Sequence, residues 1–503
     1  MNPSASFTVD DVDVAALRDL LQHLTRIGYA EKPIRERLGL TDITELRWRA
    51  LPIYRAEKLE VRDPQASAID LFLLQGVIPR TELDNLFTQA AQEVLSRAGL
   101  LLLDDHGLAR ARASLYPVGS RLIFSDHAWP SLPHPGCADV PPDQIMYIGS
   151  DSRWLARATV RRPVRNALDL CTGSGVHALL AAAHAQRVLA VDVNPRAAQC
   201  TRFNALASGT PNLEAAVGDL YDPVGEERFD LITANPPFVP SPRDSLQYRD
   251  GGRSGEDVQA RIIAGLPLHL APGGMAQIVT EFGERGDEPL ADRLRQWLGG
   301  APMDIHILRM RETTATNYAI GHADGADTYE AFLSSVHDWA ANLRKQGYTR
   351  IVSVLLAFQW SDPATATPWT RSDSPTSLHS VAGAEITAAF AAERLVRRPD
   401  FPELLSQGRL RRAGPIALLE VRALGHEVRT QAQAELLGKA LPIIHSLDTA
   451  ERELLVLLEK PLPFSELLAL AQKSDPSLNL DEPAIIKAIT ALIRRGLVLL
   501  EGS

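Results

Sequence analysis

Residues 166–240 read NALDLCTGSGVHALLAAAHAQRVLAVDVNPRAAQCTRFNALASGTPNLEAAVGDLYDPVGEERFDLITANPPFVP, and this stretch decides the fold. A short apolar run, Ala167–Leu170, carries Asp169 and enters a loop of small residues, Cys171-Thr172-Gly173-Ser174-Gly175. An Ala/Leu-rich helical segment follows, then a second apolar run, Val188–Val191, that ends on Asp192. This is a strand-loop-helix-strand unit, the first crossover of a doubly wound parallel sheet. A third run, Leu213–Val217, leads into Gly218-Asp219-Leu220, and a fourth, Phe229–Thr233, ends in Asn235-Pro236-Pro237-Phe238. Successive strand ends of such a sheet share one rim, where open α/β sheets bind their ligands.

The residue types on that rim narrow the chemistry. Gly173 and Gly175 carry no Cβ, so the backbone turns sharply and comes close to a ligand. Ala178 replaces the third glycine of the dinucleotide fingerprint, which weakens the case for a pyrophosphate site. Asp192 lies about twenty residues beyond the loop, where a carboxylate accepts hydrogen bonds from ribose hydroxyls. Asp219 ends another strand on the same rim. Two consecutive prolines hold Asn235 extended just past its strand. Its amide, a nearby carbonyl and the flat face of Phe238 suit a planar group that carries an NH2.

On these residues the chain resembles the class I S-adenosylmethionine-dependent methyltransferases. More narrowly it is similar to the N-P-P-[YF] branch, which methylates nitrogen on planar groups. That branch includes the release-factor glutamine methyltransferases and the ribosomal-RNA guanine-N2 and DNA amino-methyltransferases. The likeness covers residues 145–285. Tyr248-Arg-Asp-Gly-Gly-Arg-Ser-Gly-Glu-Asp257, the helical run after it and Ala271-Pro-Gly-Gly274 are similar to the glutamine-methyltransferase pattern. The resemblance implies a Rossmann-like core of seven strands that uses S-adenosyl-L-methionine. It implies that Asp169, Thr172, Gly173 and Gly175 flank the methionine part of the cofactor. Asp192 and Val193 would bind the ribose, and Asp219 and Leu220 the adenine. Asn235, also beside the cofactor, and the Pro236 carbonyl would hold the substrate NH2, with Phe238 stacked on its plane. Phe238 stands where the protein methylators usually carry Tyr and where guanine-N2 enzymes often carry Phe. The reaction implied is N-methylation of a protein glutamine amide. The alternatives are an exocyclic amine of an RNA or DNA base, and a non-catalytic binding protein on the same scaffold. A sulfonium already activates its methyl group, so neither a covalent intermediate nor a dedicated general base is required, and no metal is implied.

Composition agrees with a globular protein of several domains: 503 residues, 45% hydrophobic and 23% charged. A net charge of −10 argues mildly against a large phosphate footprint. Cys137, Cys171 and Cys200 have no metal-ligand spacing and read as reduced thiols, with Cys171 a small packing residue. His127 and His134 read as loop histidines in the Pro-rich stretch 127–144. No signal segment and no long apolar run appear, so a cytoplasmic protein with no membrane partner is expected.

Three domains are expected: 1–126, 145–360 with an insertion at 311–347, and 380–503. The first shows helical spacing over Val14–Ile27 and a ribbon over 100–124, an order that resembles a winged helix. It reads equally as a substrate-recognition module and as a packing domain. The last is expected to be helical, with a helix-helix-helix-strand order over 450–500 that also resembles a winged helix. In the insertion, Thr313, Thr314, Thr316 and Asn317 could either reach the substrate or make a polar loop, and the polar loop is the expectation.

Overall fold

The computed structural model describes the chain except residues 1–4, 11, 129–139, 244–245, 287, 324–327, 364–366, 379, 424–428, 475–479 and 502–503. Cys137 and His134 lie outside the described residues. The chain divides into two compact units. Unit 1 is Met1–Ala156 with Arg162–Ala301 and Arg311–Val354; unit 2 is Arg157–Arg161 with Pro302–Met310 and Leu355–Ser503.

The central sheet contains β1 (Val164–Leu170), β2 (Ala185–Asp192), β3 (Leu213–Val217), β4 (Phe229–Ala234), β5 (Leu270–Glu284), β6 (Met303–Thr314), β7 (Arg350–Trp360) and β8 (Thr370–Asp373). Their order is β8-β6-β7-β5-β4-β1-β2-β3. In unit 1, β1 pairs in parallel with β2 on one side (Leu168 opposite Leu189) and β4 on the other (Leu168 opposite Ile232). The chain therefore winds outward in both directions from β1 and β4. The gap between them is the switch point at which open sheets leave a crevice. Both faces of these strands are covered, which is why Ala167–Leu170 and Val188–Val191 are buried continuously rather than alternately.

The sheet corrects one expectation. Among the described residues it has eight strands, not seven, and the eighth lies in a stretch rich in Pro, Ser and Thr. Thr370–Asp373 pairs in parallel with Ile305–Leu308 within unit 2. An open sheet edge offers backbone groups that pair with any extended segment, so apolar patterning is not needed.

Short-range signals set the helices around the crevice. After β1, Gly175 at φ +80° starts α3 (Val176–Ala181). Helix α4 (Pro195–Ala207) has Pro195 in its first turn, and the Asn194 side chain accepts the Arg196 N–H at 2.9 Å, a standard N-cap. Two further helices matter below. They are α1 (Val14–Arg26), capped by Asp13, and α2 (Ser150–Ala158), which precedes β1.

The core of residues 5–125 continues into α3 and α4 of unit 1. Leu17, Leu20, Phe72, Leu115 and Phe124 belong to one buried cluster with Val176, Leu179, Cys200 and Phe203 from α3 and α4. The Phe124 and Phe203 rings meet edge-on at 5.7 Å, and Phe7 lies 6.1 Å from Phe203. Within this region Val77–Pro79, Leu108–Ala111 and Leu101–Leu103 form a three-stranded antiparallel sheet.

In unit 2 strands accompany the expected helices. The three helices are present, at Thr449–Leu457, Phe464–Ser474 and Glu482–Arg494. Arg409–Arg412 pairs antiparallel with Leu462–Pro463 and with Val498–Glu501. Ile416–Ala423, Arg429–Leu436 and Ile444–Leu447 form a separate antiparallel meander. The sequences IALLEVRA and RTQAQAEL contain few β-branched or aromatic residues, so local propensity does not reveal these strands; cross-strand pairing makes them.

Candidate active site

The four strand ends singled out in the sequence meet at one cleft of about 290 Å³ in unit 1. Thr172, Gly173, Asp192, Val193, Asp219, Leu220 and Asn235 all line it. Asp169 does not. Its carboxylate is buried behind the loop, with Oδ2 accepting from the Thr172 hydroxyl (2.6 Å) and the Ala178 N–H (3.2 Å) and Oδ1 from the Thr233 hydroxyl (2.7 Å). Burial, the largest effect, pushes the Asp169 carboxyl up to about 6 against those hydrogen bonds. Asp169 thus shapes the loop from behind. Gly175 is also a packing residue: a Cβ there would lie 2.8 Å from Thr201 Cγ2. Gly173 differs, because the nearest atom to its Cβ position is Ile145 Cγ2 at 3.9 Å, leaving the backbone open to the cleft.

Asp192 lies at the cleft wall between the glycine loop and the start of α4. Its Oδ2 accepts the Gly173 N–H at 2.8 Å and its Oδ1 the Asn194 N–H at 2.9 Å. The Val193 N–H also acts on this carboxylate. Burial raises the Asp192 carboxyl above the ordinary carboxylate range, against these backbone bonds. Val193 is half exposed beside it, and Leu220 is buried at φ +52°. Asp219 is tied to Arg261 at 2.8 Å, on α5 (Asp257–His269). Cys171 lies in the wall, where burial first and the carboxylates of Asp192, Asp169 and Asp219 next push its thiol well up. It is therefore a neutral packing group.

The Asn-Pro-Pro-Phe turn separates this cleft from a second cavity of about 360 Å³. Asn235 faces the first; Pro236 and Phe238 line the second. Met146, Pro237 and Tyr248 are walls of both, so the two spaces adjoin. Asn235 Nδ2 donates to Asp151 Oδ2 (3.2 Å) and Ser152 Oγ (3.0 Å), whereas Asn235 Oδ1 is buried with no hydrogen-bond partner among the described residues. An orphaned buried acceptor costs about 1–3 kcal/mol, a penalty a donor-bearing ligand would remove.

The glycine run after the turn has a steric explanation. The Val239 N–H donates to Arg249 O, and the Gly251 N–H to Val239 O. A Cβ on Gly251 would lie 2.7 Å from Pro237 O, and one on Gly255 2.4 Å from Phe238 O. Only glycine lets this segment lie flat on the Asn-Pro-Pro-Phe backbone.

Several lining residues were not singled out from the sequence. The expected polar loop at Thr313–Asn317 is instead the end of β6 and the start of α6 (Ala315–Ala323), which α7 (Tyr329–Lys345) follows. Apolar contacts explain the helix: Tyr318 and Ala319 pack with Trp339 and Leu343. Thr313, Asn317, Tyr318 and His322 line the second cavity. There the Tyr318 hydroxyl donates to Glu281 Oε2 at 2.8 Å, and Ser353 donates to Glu281 Oε1 at 2.8 Å. These contacts join positions far apart in the chain, so no local pattern marks them. His177, in the wall of the first cleft, is 4% exposed, and neither ring nitrogen has a hydrogen-bond partner. His127, expected in a loop, is fixed by Ser114 Oγ (2.9 Å) and Ala111 O (3.0 Å). Unit 2 contains a larger cavity, about 730 Å³, lined by none of the expected site residues.

Such geometry is a cleft at the strand ends of an α/β sheet that adjoins a second cavity across the Asn-Pro-Pro-Phe turn. Residues 148–297 match the family described as the methyltransferase small domain. A Methanocaldococcus jannaschii protein named for protein N5-glutamine methyltransferase activity is 31% identical over 136 residues, 26% of this chain and 68% of that one. The ribosomal protein uL3 glutamine methyltransferase of Bradyrhizobium diazoefficiens is 38% identical over 154 residues, 27% of this chain and 47% of that protein. The tRNA1(Val) (adenine(37)-N6)-methyltransferase of Porphyromonas gingivalis is 32% identical over 166 residues, 29% of this chain and 60% of that protein. The chain belongs to the methyltransferase small-domain family, within the class I S-adenosylmethionine-dependent methyltransferases. It spans about half the length of the first of the curated relatives it matches.

Proposed function

We propose that the chain transfers a methyl group to the nitrogen of a planar NH2, and that the acceptor is a glutamine side-chain amide of a protein. The observation that carries this is Asn235 Oδ1, a buried acceptor without a partner at the turn between the two cavities. S-adenosylmethionine, when bound, would supply an electrophilic methyl group and keep the electron pair of the broken S–CH3 bond as a neutral thioether, while the methylated acceptor nitrogen releases one proton to solvent. Asp192 would hold its ribose hydroxyls, Gly173 would admit its close approach, and Val193 and Leu220 would give apolar contact for the adenine. Asp219 would stand at the adenine's polar edge.

The remaining work falls to the acceptor side. An amide nitrogen is a poor nucleophile, because its lone pair is delocalised into the carbonyl. Asn235 Oδ1 and the Pro236 carbonyl accept its two N–H bonds and turn the lone pair toward the cofactor side. Both acceptors gain strength as the nitrogen becomes positive, so they stabilise the transition state more than the ground state. Phe238 packs against the amide plane and excludes water.

A second reading, an exocyclic amine of a nucleobase, is supported by the aromatic walls of the acceptor cavity. Trp154, Phe238, Tyr248 and Tyr318 would stack on a base. Similarity to the tRNA adenine methyltransferase points the same way. The test is methyl transfer from radiolabelled S-adenosylmethionine into cell extract, divided by protease and nuclease treatment. Protease-sensitive label supports the glutamine reading; nuclease-sensitive label supports the base amine. Asn235→Ala should abolish turnover with cofactor affinity nearly intact, and surviving turnover would refute the role of Asn235. No incorporation by the wild type would favour a non-catalytic binding protein.

A further inference from the structure

The two ends of an amide side chain have nearly equal size and opposite hydrogen-bonding sense, so neighbours decide which end faces where. At Asn235 the neighbours are Asp151 and Ser152, in the first turn of α2. Asp151 lines the acceptor cavity and Ser152 the cofactor cleft, so the pair straddles the boundary that Asn235 occupies. Both accept from Asn235 Nδ2, which leaves Oδ1 as the free end. An ionised carboxylate only accepts, and it would repel Oδ1 in the reversed amide. Reversal would also aim two N–H donors at the acceptor nitrogen and draw off the lone pair that must react.

We propose that Asp151, assisted by Ser152, is the positioning residue of this site: it sets the Asn235 amide so that Oδ1 faces the acceptor nitrogen. The proposal rests on the methyl-transfer reading above. No local motif links these residues. Asp151 and Asn235 are 84 positions apart, and the parallel sheet brings the start of α2 to the end of β4.

The surroundings make the clamp proton-dependent. Glu281 on β5 faces Asp151 as a like charge, and Tyr147 lies just before α2. Arg249 and Arg311 bring positive charge to the same cavity, and Tyr318 and His322 come from α6. Burial first, and the Glu281 charge after it, hold the Asp151 carboxyl above its ordinary range, opposed by the Ser152 N–H and the Asn235 amide. The clamp is therefore present while Asp151 is ionised and lost as pH falls through that raised value. Burial lowers His322 to about 4, so its titration must be separated by a variant.

The test uses the full-length protein labelled with 15N-asparagine. The Asn235 side-chain NH2 signal is followed over roughly pH 4 to 8. Methyl transfer into cell extract is measured over the same range for wild type, Asp151→Asn, Asp151→Glu and Asn235→Ala. The expected result is an Asn235 NH2 titration above the ordinary carboxylate range that vanishes in Asp151→Asn. That variant should lose turnover about 100-fold, keep its S-adenosylmethionine affinity, and lose the acid limb of the rate profile. Asp151→Glu should recover part of the rate. An Asn235 signal insensitive to pH, or wild-type turnover in Asp151→Asn, overturns the proposal. Surviving turnover in Asn235→Ala overturns the methyl-transfer reading of Asn235 instead, whatever Asp151 does.

Discussion

His177 shows how single residues carry opposite demands of stability and binding. It occupies the wall of the cofactor cleft with both nitrogens unsatisfied, and burial pushes its pKa down to about 3, so it is neutral at any working pH. His177→Leu removes two orphaned polar atoms, so the melting temperature should rise while S-adenosylmethionine binding weakens about tenfold. Unchanged affinity in a calorimetric titration would show that the nitrogens serve no ligand. Asp169 makes a pH-dependent prediction. Its folded pKa of about 6 lies above the unfolded carboxylate value near ~4. The folded state therefore holds the proton more tightly, and this stabilisation is present below pH ~4 and lost as pH rises through about 6. Relative to Asp169→Asn, the wild type should gain stability between pH 7.5 and pH 5, by about 1.4 kcal/mol. Thermal melts of the two proteins at both pH values check the sign. Of the expected rim residues, Asp192, Asp219 and Asn235 were legible because strand ends carry their identity in the local pattern. The withdrawn position of Asp169 was not, because it depends on three partners from the loop, α3 and β4.

The element that best separates packing from function is the loop between β1 and α3. Gly173 and Gly175 read alike in the sequence, and both adopt positive φ. Their surroundings differ: Gly175 presses on Thr201, and Gly173 faces open cleft. Gly175→Ala should lower the melting temperature, since a strained φ and a 2.8 Å clash act together. Gly173→Ala should cost only the backbone strain, about 1 kcal/mol, yet weaken cofactor binding by occupying the cleft. Equal effects of the two changes on affinity would refute this division. The helical and strand periods before Asn235 were readable because each buried face recurs within a few residues. The strands after Arg409 were not, since their register is held by partners in other strands.

At the scale of the whole molecule, residues 1–126 bear directly on the cofactor loop. Asn204 accepts the Phe124 N–H at 2.9 Å, and its Nδ2 donates to Phe124 O (2.8 Å) and Ser174 O (2.9 Å). It thereby joins the Arg121–Ser125 strand to the Gly173–Gly175 turn. The Asp126 carboxylate pairs with Arg196 at 2.6 Å and accepts the Ile145 N–H at 2.8 Å, which fixes the segment that enters the cleft. A chain lacking residues 1–126 should therefore fail to bind S-adenosylmethionine and should melt without cooperativity; normal binding by the truncated chain would show an independent recognition module. The sequence alone determined the doubly wound core, the rim of acidic strand ends and the Asn-Pro-Pro-Phe turn. These follow from short-range periods, from glycine and proline stereochemistry, and from the rule that parallel strands end on one side. Only the tertiary structure decided that Asp169 supports the loop, that Asp151 meets Asn235, that α6 and Glu281 wall the second cavity, and that the N-terminal segment packs with α3 and α4. Each of those depends on contacts between residues tens of positions apart, where no local spacing constrains which side chains meet.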